Sequence, residues 1–181
     1  MLHQHKSKQK IKISPDSRAE VMSAIDNKTS DLKSKLDWMQ NKWGTFSKGF
    51  GDCHEVRIIG PVIIGTLTPL NASIIMDNLT YFKEKYETSD NEHNFKNFQI
   101  ASLCGAENIA NFLFEKLESK PDDSTILTYV SASQNEEWAK KVATEMKKKD
   151  LPIPKGVSLY CTESSMKDAI HTVFSGEKNK I

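Results

Sequence analysis

The chain has 181 residues, 38% hydrophobic and 27% charged, with a net charge of +1 at neutral pH. That length supports one domain burying roughly 70% of its unfolded surface without disulfide or metal staples, and leaves no room for two. A charge so near zero provides no field for nucleic acid or an anionic membrane, and with Arg only at Arg18 and Arg57 bidentate phosphate clamps have few places to form.

Three cysteines, Cys53, Cys104 and Cys161, are odd in number and widely spaced, and no secretory hydrophobic segment follows Met1. The expectation is a reduced, cytoplasmic protein. The most apolar window, Val56 to Leu70, is broken by Arg57, Gly60, Pro61, Gly65 and Pro69 and is too short for a bilayer, so no membrane span is expected.

Residues 1–13 carry His3, His5 and four lysines with little to bury, and read as a flexible tail. Two histidines are too few to hold a metal. Ser14, Pro15 and Asp16 are a cap, a first-position proline and a first-turn acid, the signals that open a helix. The spacing of Val21, Ile25, Leu32, Leu36, Met39 and Trp43 predicts one long amphipathic helix ending near Gly44. Its stripe either packs on the rest of the chain or presents Trp38, Met39 and Trp43 to a partner. Gly44 to Asp52 then reads as a glycine-rich linker, completing an N-terminal unit over 14–52.

From residue 53 to 176 the pattern predicts alternating strands and helices. Val56 to Thr66 is the first strand, bulged at Gly60-Pro61, and Thr68-Pro69 starts a helix carrying Leu70, Ile74, Ile75, Leu79, Phe82 and Tyr86. Phe98 to Cys104 is the second strand, with Gly105 opening a helix through Ile109 and Leu113. Ser124 to Ser133, β-branched and aromatic, is the central strand. Ser133 and Glu136 form a capping box for a helix whose Trp138, Val142 and Met146 recur every four residues. Val157 to Cys161 is the fourth strand, and Thr162 or Ser164 caps a last helix over Met166, Ile170 and Val173. Residues 177–181 are a polar tail.

Four such alternations imply a three-layer α/β/α sandwich around a mostly parallel sheet of about four strands, Rossmann-like or flavodoxin-like. In that fold ligands sit beyond the strand ends. There the chain places Thr66, Thr68, Ser102, Cys104, Gly105, Ser131, Ser133, Thr162 and Ser164. The hydroxyls are either helix caps or a shallow phosphate or carboxylate site. Residues 98–174 resemble the sugar isomerase domain, with Ser102-Leu-Cys-Gly105 and Ser131-Ala-Ser133 at its sugar-phosphate turns. Ile59-Gly-Pro61 resembles the first turn of nucleoside deoxyribosyltransferases, which implies Glu136 or Glu137 as the acid.

No catalytic constellation assembles: no phosphate loop, no metal ligand set, no cofactor motif, and Cys53-His54-Glu55 alternate faces on a strand. The balance falls on a non-catalytic cytoplasmic adaptor that binds a protein partner or a second copy of itself. The alternative is a small enzyme or binding protein for a phosphorylated sugar or nucleotide. An effector or toxin acting in another cell reads the same way.

Overall fold

A computed structural model describes residues 12–13, 18–46, 66–161 and 163–176. Among them it is almost entirely helical, and the expected α/β/α sandwich is overturned. The strand pairing described is confined to β1 (Lys12–Ile13) and β2 (Thr66–Leu67), parallel, with Lys12 opposite Thr66 and Ile13 opposite Leu67. The helix start at Ser14 to Asp16, most of the Val56 to Thr66 strand, most of the linker and nearly all of both tails lie outside the described residues.

Three expected strands are helices. Phe98 to Cys104 is the second half of α5 (Asn91–Cys104), Ser124 to Val130 lies in α7 (Asp123–Val130), and Val157 to Tyr160 lies in α9 (Gly156–Tyr160). Two of the starts have a local cause, while α9 opens at Lys155 without a side-chain cap. Asp90 accepts from Glu92 N and Asp122 from Thr125 N, so an acid caps α5 one full polar segment before its apolar run and caps α7 just ahead of its own. Gly105 does not open a helix; it closes α5 in the left-handed region, φ 77°. The apolar runs are continuous because these helices are covered on several sides, and a short fully buried run has no periodicity to separate strand from helix.

The remaining elements complete a tandem series. α1 (Arg18–Ala24) and α2 (Thr29–Phe46) replace the single long N-terminal helix, broken where Asp26 and Asn27 take φ 51° and 63°. Asp and Asn tolerate that conformation better than other side chains. α3 (Pro69–Ile75) and α4 (Leu79–Tyr86) likewise split the helix expected after Thr68, at Asp77 with φ 52°. α6 (Glu107–Lys116), α8 (Glu136–Lys148) and α10 (Ser164–Ser175) follow α5, α7 and α9.

Among the described residues four helical hairpins result, α3/α4, α5/α6, α7/α8 and α9/α10. Their second members begin at residues 79, 107, 136 and 164, every 28 or 29 residues. First helices touch in chain order, α1 on α3, α3 on α5, α5 on α7 and α7 on α9. Second helices form another layer, α4 against α6 and α8 against α10, with Lys141 on α8 paired to Glu107 on α6 at 2.9 Å. Such stacking lets each unit bury the face its neighbour needs covered. One apolar cluster runs through the stack from Val21 to Ile170.

Candidate functional site

The hairpin turns line up along one edge, and polar side chains tie the first three in series. Asn78, which caps α4 by accepting from Tyr81 N, donates to Ala24 O at 2.8 Å and Asp26 Oδ2 at 3.2 Å. Asp77 accepts from Asn108 N and Ile109 N, at 3.1 and 3.0 Å. It thereby caps α6, whose own N-cap, Ala106, has no side chain able to do so. Asn135 caps α8 through Trp138 N and donates to Gly105 O at 2.9 Å. Burial pushes the Asp77 carboxyl above its usual range, against the pull of the Ile109 and Asn108 hydrogen bonds.

Helix α2 lies across this edge. Lys35 Nζ is 3.5 Å from Ile75 O at the first turn, and Trp43 Nε1 donates to Ala132 O at 3.0 Å at the third. At the fourth, Trp38 Nε1 donates to Glu163 at 3.2 Å and Lys42 pairs with the same carboxylate at 2.8 Å. The Lys42 hydrogen bond holds Glu163 below the usual carboxylate range. Met39 and Trp43 are buried and Trp38 is half-buried, so all three face the chain itself.

Between α2 and the turns lies a cavity of about 220 Å³. α2 contributes Lys35, Trp38, Met39 and Trp43, over Ile75 and Leu103. The turns contribute Cys104, Gly105, Gln134 and Asn135. Burial pushes the Cys104 thiol up to about 12, with Lys35 alone pulling down, so at neutral pH it is an uncharged, unreactive thiol. The lining can therefore hold a molecule, and offers it no activated nucleophile.

The expected site residues divide. Cys104, Gly105 and Ser133 do come together, because consecutive hairpin turns are neighbours: a Cβ on Gly105 would lie 2.9 Å from Ser133 Oγ. The edge they share belongs to helix turns, and the strand ends expected to gather them do not form. Ser131 and Ser133 are buried and donate inward, to Thr128 O and Val130 O at 2.7 and 2.6 Å. Ser133 caps no helix; Asn135 takes that position. Thr68 is exposed and caps α3 through Asn71 N. Ser102 is fully buried in α5, and Ser164 is exposed at the first position of α10. Thr66 is placed by its backbone in β2, and Thr162 lies outside the described residues, as do Cys53, His54 and Glu55. The sugar-phosphate layout required strands at 98–104 and 124–133 and falls with them; the Ile59-Gly-Pro61 turn likened to the deoxyribosyltransferases lies outside the described residues, and Glu136 and Glu137 sit in the first turn of α8.

A second feature had no signal in the sequence reading. On the first-helix layer, Gln99 Nε2 on α5 donates to the Tyr129 hydroxyl on α7 at 3.2 Å, and the Tyr129 ring lies 6.3 Å from that of Tyr160 on α9. One turn from Gln99, Phe95 is 40% exposed. The row crosses three hairpins, with Gln99, Tyr129 and Tyr160 spaced 30 and 31 residues apart, off the 28- or 29-residue step of the second helices.

Among the described residues no group of three His, Cys, Asp or Glu side chains is placed to hold a metal, and no helix is long and apolar enough to cross a membrane. Compared with protein-family models, with curated proteins and with solved structures, the chain matches none.

Proposed function

We propose that the protein is a non-catalytic adaptor of the cytoplasm, and that its partner docks on the first-helix layer across α5, α7 and α9. Phe95, 40% exposed on α5 beside the half-buried Gln99, carries this reading, with the buried Tyr129 and Tyr160 holding Gln99 from behind. Stacked hairpins repeat one surface position at fixed intervals, which builds an extended face suited to another polypeptide. An exposed phenylalanine beside a glutamine fixed by one hydrogen bond is a combination of anchor and orienting group that protein interfaces use. The tryptophans of α2 are engaged on their own chain, which moves the docking face away from that helix. Cys104 and Cys161 are free thiols, consistent with a reducing compartment.

Photo-crosslinking tests the reading. A benzophenone amino acid in place of Phe95 is expected to give a discrete protein adduct in cells. The same group in place of Thr144, exposed on the second layer, is expected to give none. Adducts of equal yield from both positions, or from neither, would sink the proposal.

A further inference from the structure

We propose that the cavity beneath α2 is a binding site for a small planar aromatic acid. Its ring would lie against Trp38, Trp43 and Met39, and its acid group would meet the Lys35 ammonium. Size is the first support. An apolar cavity of about 150 Å³ holds one benzene, so about 220 Å³ has room for a fused two-ring system with a carboxylate.

Charge is the second. Among the described residues Lys35 has no carboxylate within ion-pair distance, while Lys42, two turns along the same helix, is paired with Glu163. Asp77, which feels its charge, already receives the amides of Asn108 and Ile109. Lys35 therefore stands at a half-apolar cavity with only a 3.5 Å carbonyl contact, and an acid group entering there gains a charge-assisted hydrogen bond. Chemistry is the third. The indole N-H groups of Trp38 and Trp43 are satisfied by Glu163 and Ala132, so both rings are held in place before a ligand arrives. Cys104 adds an uncharged soft wall, so the site binds without reacting.

One wall belongs to α2 and the other to the hairpin turns, so a molecule bound there bridges the two and stabilises their contact by mass action. The site shares no residue with the row on the first-helix layer, and stands or falls separately from the adaptor reading.

The test uses the full chain with 2-naphthoate as probe and neutral 2-naphthamide as its control. Three indole N-H resonances, from Trp38, Trp43 and Trp138, report position without any substitution. Saturable shifts of the Trp38 and Trp43 resonances by naphthoate are expected, larger than any at Trp138. Affinity for naphthamide should be about tenfold weaker, the worth of roughly 1.4 kcal/mol. Lys35→Gln should erase that difference, and Cys104→Met, which fills the cavity, should abolish binding of both. No saturable shift, equal affinity for the two probes, or shifts spread evenly over all three indoles would overturn the proposal. Should Lys35→Gln fail to fold, the two-probe contrast on the unaltered chain decides alone.

Discussion

The first helices of the hairpins and the second helices are built from different sequence patterns, and the contrast follows from how many neighbours each has. α7 sits between α5 and α9 and against α8. It buries Ile126, Leu127, Tyr129 and Val130 at nearly consecutive positions. α8 buries Trp138, Ala139, Ala143 and Met146 along one stripe and exposes Glu137, Lys141, Thr144, Glu145 and Lys148 on the other side. A helix covered on several sides loses amphipathicity, whereas one at the surface keeps it. Stability should therefore concentrate in the first layer. The second layer adds a stripe and exposed ion pairs such as Lys148 with Glu145, which contribute little.

Truncation tests this most severely. Phe98 on α5 is buried, with its ring 6.1 Å from that of Phe114 on α6. Phe98→Ala should cost about 3 to 4 kcal/mol in urea unfolding, against about 1 kcal/mol for Val142→Ala on the half-buried flank of α8. Comparable losses would dissolve the distinction between the layers. Next comes the turn joining them. Gly105→Ala places a Cβ at φ 77°, 3.0 Å from Asn135 Cβ as well as close to Ser133 Oγ, and should cost about 2 to 3 kcal/mol. A midpoint unchanged in urea would show that the turns yield where the layers do not.

Asp77 is smaller in effect and sharper in kind. Asp77→Ala removes the acceptor for two amides at the start of α6 and should cost about 1 to 2 kcal/mol. Its pH dependence has a definite sign. Burial raises the folded pKa above the ordinary 3.8, so this carboxyl favours folding most when protonated. That contribution is lost as pH rises through the folded value. Asp77→Asn, which keeps an acceptor without the charge, should abolish this downward drift in denaturant midpoints just above pH 3.8. A drift that persists in the variant would place its origin elsewhere.

The same contrast explains what the sequence revealed. α6, α8 and α10 carry one apolar stripe each and were legible as helices, with α8 offset only in its cap, from Ser133 to Asn135. α5, α7 and α9 were not, because Phe98 to Cys104 and Ser124 to Val130 are apolar or small at nearly every position, as a buried strand would be. The correcting signals were local: Asp90 and Asp122 stand as caps before each run, and Gly105 stands as a terminator after one. The break at Asp26-Asn27 was hidden because the stripe from Val21 to Trp43 continues through it; both α1 and α2 bury apolar faces in the same core. Of the candidate site, the meeting of Cys104, Gly105 and Ser133 was legible because any tandem α-containing fold brings successive turns together. The cover that α2 lays over them was not, since its contacts with Ala132 and Glu163 span 89 and 125 residues.

The smallest effect concerns that cover. Lys42 holds Glu163 below its ordinary value of 4.5, so this pair contributes stability above that pH, and the contribution is lost as pH falls through the folded value. Both side chains are about one third exposed, which limits the pair to about 0.5 kcal/mol. Urea unfolding would barely register it, but Trp38 shares the same carboxylate oxygen and reports it directly. Acidification below pH 4.5 should shift the Trp38 indole N-H resonance while leaving that of Trp43, whose acceptor is a backbone carbonyl, in place. Glu163→Gln should fix Trp38 at one position across the same range. If Trp43 moved together with Trp38, α2 would be leaving the turns as a unit, and its attachment would be electrostatic throughout instead of anchored by burial at Met39 and Trp43.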